Sequence, residues 1–285
     1  MNPGIGLALA AMLCFGVGDS IYKRGAAAGA PPHQLLMLQS ALYLLIVAMY
    51  ASVTGTLAYT PAVLWAFVSG TCMMIGFYNF AASLKAGAVS VVAPVFRMSF
   101  VLTAALAVVF LGEALTPFKA AGIALALLAT WLLLGGAVRQ ATGDLVALRG
   151  AMVRVVVATI AVGSGYFVMT LALRGGATPG ALVTLQACVF TAQAAFFSVR
   201  RDRAFRAAPA VLRTAPPAAL ALACGFVFLA ESMARGQASV VVPIAQMGFV
   251  VAALVGFLFL RESFGPRKVA GIAAAVAALG CLAHG

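Results

Sequence analysis

A segment near the middle of the chain is written a second time 149 residues later, and both copies lie in apolar sequence long enough to cross a lipid bilayer. The first copy runs Gly87, Ala88, Val89, Ser90, Val91, Val92, Ala93, Pro94 and continues through Met98, Phe100, Phe110, Leu111, Glu113, Pro117, Lys119 and Gly122. The second runs Gly236, Gln237, Ala238, Ser239, Val240, Val241, Val242, Pro243 and continues through Met247, Phe249, Phe259, Leu260, Glu262, Pro266, Lys268 and Gly271, with no gap. Compositional bias does not set Pro, Glu, Lys and Gly in register. The N-terminal parts match at an offset of 147: Gly16, Gly18, Pro32 and Gln39 recur as Gly163, Gly165, Pro179 and Gln186. Two homologous halves follow, 1–136 and 151–285, joined by 137–150.

Hydrophobic residues are 64% of the chain and charged residues 8%, against roughly 25% charged in a soluble domain, so a water-facing surface cannot be covered. An integral membrane protein is implied, and its spans are helical because backbone groups cannot go unpaired in hydrocarbon. The apolar runs predict ten helices, near 3–22, 34–53, 62–84, 88–111, 117–135, 152–172, 180–199, 213–233, 237–260 and 266–283. The opening run has no basic region before it and its pattern recurs at 153–168, so it reads as part of the fold rather than a signal peptide. Five cysteines, all within apolar spans, show neither disulfide nor metal-ligand spacing.

Five spans per half is an odd number, so the halves enter the membrane from opposite sides and the repeats are inverted. Basic residues concentrate in the odd-numbered connections, at Lys23, Arg24, Lys85, Arg139, Arg149, Arg200, Arg201, Arg203, Arg206, Arg261, Arg267 and Lys268, leaving Lys119, Arg174 and Arg235 for the other side. The positive-inside rule then makes those connections cytoplasmic and both termini non-cytoplasmic. The net charge of +12 reads as a topology signal, not as a nucleic-acid footprint.

A small-residue loop, a Pro a third of the way into the next span, Gly112 and Glu113 at its end, and then Pro117, Lys119 and Gly122 opening a last span form a pattern. It resembles the EamA repeat of the drug/metabolite transporter superfamily, in two copies covering essentially the whole chain. The resemblance implies an all-α integral membrane carrier of ten helices, built as two inverted five-helix repeats around a central cavity lined mainly by spans 1, 3, 4, 6, 8 and 9. Members move amino acids, nucleosides, sugar phosphates, quaternary amines or drugs. The second half departs from the pattern at Arg261, which replaces the Gly of the Gly-Glu pair. Ala93 stands where the aromatic-amino-acid branch carries a Trp, so that branch is not assigned.

Ionisable residues deep in a span are costly and mark function or pairing. Asp19 near the end of span one and Arg97 nine residues into span four reach comparable depths at about 1.5 Å per residue. Two readings stay open. Arg97 offers its fork to a substrate carboxylate or phosphate, with Asp19 as counter-ion or proton-coupling carboxylate, or the two form a permanent pair fixing spans one and four. Gln246, the repeat-mate of Arg97, is polar and uncharged. Glu231, Tyr78, Asn79 and Tyr166 complete the candidate substrate-binding set. Gln39 and Gln186 read as interhelical hydrogen-bonding residues. Pro94 and Pro243 each remove a backbone donor, which makes either matched hinges or static kinks. Glu113 and Glu262 read as helix caps.

The leading expectation is a secondary carrier in the plasma (inner) membrane that works by alternating access and exports amino acids or related compounds. It needs a small-molecule substrate, the lipid bilayer and, through a carboxylate, a coupling proton. No cofactor, metal or nucleic acid is expected, and the unit is a monomer or homodimer. An exchanger of phosphorylated anions is the alternative if Arg97 is unpaired. A membrane-embedded enzyme or a non-transporting scaffold is the alternative of a different class, and His33 and His284 near span ends supply no catalytic group for the former.

Overall fold

The computed structural model describes residues 3–83, 89–134, 145–203, 207–260 and 265–284. Arg261 and Glu262, with the cap role expected of the latter, lie outside the described residues, as does Lys85. Helices α1 (Pro3–Ala27) and α2 (Pro32–Val53) form spans one and two, and a short 3-10 turn (Pro61–Leu64) leads into α3 (Trp65–Ser83). Span four is two helices, α4 (Val89–Arg97) and α5 (Ser99–Leu111), and α6 (Pro117–Leu134) ends the first half. The second half repeats the order with α7 (Leu145–Arg174), α8 (Pro179–Asp202), α9 (Pro209–Arg235), the pair α10 (Ala238–Gln246) and α11 (Gly248–Leu260), and α12 (Pro266–His284). Nine helical stretches are long and apolar enough to cross a membrane, and Pro117–Leu133 is a shorter apolar helix among the described residues. No strand occurs among them.

Several helices outrun the apolar stretches that announce them. Span six starts at Leu145 and span one continues to Ala27, because Ala, Leu, Lys and Arg at these ends are good helix formers, no proline interrupts them, and the single glycines Gly25 and Gly150 are tolerated. Span one stops only ahead of Gly29, which adopts a left-handed φ of 79°, a conformation that glycine enters without steric cost.

Packing interlocks the two halves. The most extensive contacts pair α3 with α7, α1 with α9, α6 with α12 and α2 with α8, each a helix of one half against a helix of the other. Exchanging the halves maps the first pair onto the second and each of the others onto itself, which is the contact pattern of a two-fold relation between repeats.

Spans four and nine break at equivalent places. Each proline lies inside its first helix, Pro94 in α4 and Pro243 in α10, and the break comes four residues later, at Met98 and Met247. There the Met98 N–H bonds the Val95 carbonyl at 3.1 Å and the Met247 N–H bonds the Ile244 carbonyl at 3.1 Å, three residues back rather than four, so the turn tightens. A neighbouring helix contributes to the first break: Thr159 on α7 donates to the same Val95 carbonyl at 2.9 Å.

Small residues bring span one against the second of these breaks. A Cβ on Gly16 would stand 2.4 Å from Val251 Cβ and 2.5 Å from the Gly248 carbonyl oxygen, whereas one on Gly6 of the same helix meets nothing within 4 Å. Gly16→Ala is expected to cost about 1–3 kcal/mol by forcing α1 off α11. Gly6→Ala is expected to be neutral or to stabilise by about 0.5–1 kcal/mol. Thermal unfolding of the two purified variants checks both.

Candidate functional site

The two helix breaks carry the polar centre of the molecule. Arg97 is the last residue of α4 and Gln246 the last of α10, so each side chain is presented where its span interrupts its helix. A cation at a helix C-terminus is also favoured by the helix dipole. The Arg97 guanidinium pairs with the Asp19 carboxylate through Nη2 and donates through Nη1 to Gln246 Oε1 at 3.1 Å. Gln246 Nε2 in turn donates to the Tyr166 hydroxyl at 2.6 Å. Asp19, Arg97, Gln246 and Tyr166 therefore form one hydrogen-bonded chain across spans one, four, nine and six.

This chain obeys the internal symmetry. Tyr166 stands 147 residues after Asp19 and Gln246 stands 149 after Arg97, the offsets that relate the halves in those regions. Two pairs of equivalent positions thus meet on the two-fold relation, with opposite chemistry: an ion pair in the first half and a neutral amide with a phenol in the second. Arg97 is 12% exposed and Asp19 37%, while Gln246 and Tyr166 are buried at 4% and 2%. The carboxylate is the accessible member.

Beside the chain lies a cavity of about 470 Å³, counting its mouth. Its walls come in repeat-related pairs, including Gln39 with Gln186, Tyr43 with Phe190 and Phe77 with Phe226. The aromatic contacts repeat the relation, with Tyr43 edge-on to Phe226 at 5.9 Å and Phe77 edge-on to Phe190 at 6.3 Å. Phe226 also stacks on Tyr166 at 6.4 Å, so cavity and polar chain share a wall. Tyr22 lines the cavity and donates its hydroxyl to Gln39.

Three other predicted residues stand apart from the chain. The Tyr78 ring packs edge-on against Phe197 of α8 at 4.5 Å. Asn79 donates to the Ile75 carbonyl of its own helix at 2.8 Å, which supplies the partner that an amide in a span requires. Glu231 accepts from Tyr50 at 3.0 Å and pairs with Arg235 at 2.8 Å, one helical turn on.

A family model described as the EamA-like transporter family matches residues 2–135 and again 149–283. The chain belongs to the EamA-like transporter family. It is accordingly a multi-pass membrane transporter, and the two matched stretches coincide with the two copies seen in the symmetric contacts. No curated protein matches it. A solved crystal structure titled only as that of a protein shares the fold, with 16% identity, a TM-score of 0.80, and coverage of 98% of this chain and 95% of the other.

In this EamA-like transporter, Glu113 does more than cap a neighbouring span. Its side chain, 2% exposed, accepts from the Ala238 N–H at 3.1 Å and the Ser239 N–H at 2.9 Å, so it caps α10 of the opposite half rather than α6 of its own. Arg174 of α7 adds an ion pair at 2.6 Å and reaches the Leu111 carbonyl at 3.1 Å. Lys119, buried at 1%, donates to the Ala114 carbonyl at 2.8 Å and to Gln237. Ser232 donates to the Gly4 carbonyl at 2.7 Å. All of these bonds except Lys119 to Ala114 cross between the halves, at one end of the bundle. At the other end, Asp202 bonds His33 at 2.9 Å and Gln34 at 2.7 Å.

Sequence reasoning paired Asp19 with Arg97 by depth, and it overlooked both the cavity lining from spans two and seven and the cross-half role of Glu113. The in-register Gln39 and Gln186 are the signal for the former.

Proposed function

We propose that this EamA-like transporter is a secondary carrier working by alternating access, and that its substrates are zwitterions, amino acids or closely related compounds, moved outward across the plasma membrane. The observation that carries the reading is the pairing of Arg97 with a partly accessible Asp19. Separating a pair of charges in a low-dielectric site is costly unless each finds a new partner. A zwitterion supplies both at once: its carboxylate takes the guanidinium fork, and its ammonium takes Asp19. A purely anionic substrate would leave Asp19 facing a like charge, and a purely cationic one would leave Arg97 without a counter-ion. The anion-exchange alternative required an unpaired Arg97, and nothing favours it.

Asp19 then alternates between Arg97, the substrate ammonium and a proton, which gives a route to proton coupling. The distribution of basic residues supports placing the odd-numbered connections in the cytoplasm, with both termini outside.

Counterflow in proteoliposomes tests this directly. Labelled neutral amino acids are expected to exchange saturably, and the matching α-hydroxy acids and decarboxylated amines, each lacking one charge of the zwitterion, are expected to exchange roughly 10- to 100-fold less well, since a charge-assisted hydrogen bond contributes about 1.5–3 kcal/mol. Equal exchange of a sugar phosphate or a quaternary amine would overturn the zwitterion reading. A further expected result is that Asp19→Asn uncouples exchange from an imposed pH gradient, measured with a pH-sensitive dye in the lumen.

A further inference from the structure

The cavity beside the charged chain is built from equivalent positions of the two halves. To the pairs already named its lining adds Ser40 with Ala187 and Met73 with Leu222, at the same offsets of 147 and 149. The cavity therefore lies on the two-fold relation that also carries the ion pair and its partners. Inverted-repeat carriers hold substrate at the interface of their repeats, where equivalent walls remain when the halves exchange conformations. Charged chain and cavity are contiguous. Phe226 is both a wall of the cavity and the ring stacked on Tyr166 at 6.4 Å. Tyr22 in the lining stands one turn beyond Asp19, and a Cβ on Gly18, the residue before Asp19, would lie 3.5 Å from Leu222 Cδ2.

The paired walls differ in polarity. Where the first half places Ser40 and Tyr43, the second places Ala187 and Phe190. The polar groups of the first half are largely engaged within the protein, since Ser40 donates to the Met37 carbonyl at 3.0 Å and Tyr22 donates to Gln39. The amide atoms of Gln186 are themselves buried away from the cavity. Met73, Phe77, Ala187, Phe190, Leu222 and Phe226 then make most of the remaining wall hydrocarbon. Among the described residues the lining holds no charged side chain. A charged group would lose its hydration here with no counter-ion, whereas an apolar one is stabilised by leaving water.

We infer that this cavity receives the side chain of the transported zwitterion, and that the substrates are amino acids with large apolar side chains, whether aliphatic, thioether or aromatic. The inference rests on the zwitterion reading of Arg97 and Asp19. Those groups hold the two charges, and the side chain extends along Phe226 into the cavity. Ala187, the small member of its pair, leaves the room that a large side chain needs.

Counterflow of individually labelled amino acids in proteoliposomes tests the inference. Leucine, methionine and phenylalanine are expected to exchange with apparent affinities about tenfold or more above those of glycine and alanine, the discrimination that missing methylenes give in an apolar pocket. Aspartate and lysine are expected to exchange no better than glycine. Ala187→Leu, which shrinks the cavity without touching Arg97 or Asp19, is expected to lower the preference for phenylalanine over alanine by about tenfold. The wild-type comparison stands whether or not that variant folds. Alanine exchanging as well as phenylalanine in the wild type, or a preference unchanged in a folded Ala187→Leu variant, would overturn the inference. Phenyllactate and phenethylamine, each lacking one charge of phenylalanine, keep its failure apart from that of the zwitterion reading. If either exchanges as well as phenylalanine, the zwitterion reading fails and the substrates are not amino acids as a class. If both exchange poorly while alanine matches phenylalanine, the zwitterion reading stands and the side-chain pocket falls.

Discussion

Arg97→Gln is expected to lower amino-acid counterflow roughly 10- to 100-fold and to destabilise the protein, and Asp19→Asn added to it is expected to return the stability without the transport. The two readings of the pair diverge at that double variant. Removing one partner leaves the other charge unmatched in the bundle, a loss of about 3–5 kcal/mol for a fully buried pair. The cost here is nearer 1–3 kcal/mol, because Asp19 is 37% exposed and water screens part of the field. Neutralising both groups removes that penalty and leaves two uncharged amides in their place, able to hydrogen-bond each other and Gln246. If the pair only clasped spans one and four, the double variant would transport as well as it folds. If Arg97 and Asp19 hold the two charges of a zwitterion, the double variant stays inactive at wild-type stability. Melting temperature and counterflow measured on the wild type, the two single variants and the double variant separate the cases.

The fold was legible because it is written twice. Prolines, glutamates and lysines in register at offset 149 announce the repeat, and apolar run lengths announce the spans. The ion pair was legible too, since few charged residues occur in apolar sequence and depth counting brings Asp19 and Arg97 to one level. Other features depend on what the sequence does not encode locally. The breaks at Met98 and Met247 fall four residues beyond the prolines that draw attention to them, where an amide bonds three residues back. Glu113 precedes Pro117 by four residues, which suggests a cap on the next helix. Its actual donors on Ala238 and Ser239 are adjacent only because the halves interlock. Asn79 looks like an amide in need of a distant partner, and a helix carbonyl one turn back serves it. In each case the residue type was informative and its partner was not: tertiary packing set it for Glu113, and the backbone of its own helix set it for Asn79.

Glu113→Leu is expected to open the latched end of the bundle. The carboxylate is 2% exposed and ties three groups of the second half: two N–H groups at the start of α10 and the Arg174 guanidinium. On the proposed alternating-access cycle the halves part at this end in one phase, and these bonds would then break and re-form in each turnover. Their strength sets how strongly the closed state is favoured. Hydrogen bonds to a charged group contribute about 1.5–3 kcal/mol each, and shared acceptors and water in the open state reduce the sum to about 3–5 kcal/mol. A bias of about 5.5 kcal/mol carries a two-state equilibrium from 1:99 to 99:1, so the variant is expected to rest largely open at this end. Ser239 reports the change well, being fully buried with its N–H held by Glu113. With the five native cysteines replaced, a Ser239→Cys reporter is expected to react with a water-soluble maleimide about 100-fold faster in Glu113→Leu than in its parent. Arg174→Ala is expected to speed labelling by about tenfold or less, because Arg174 is 44% exposed and both backbone donors remain on Glu113. Unchanged labelling in Glu113→Leu would mean that the apolar contacts of α1 with α9 and of α6 with α12 close this end without help, and that Glu113 caps a helix and nothing more.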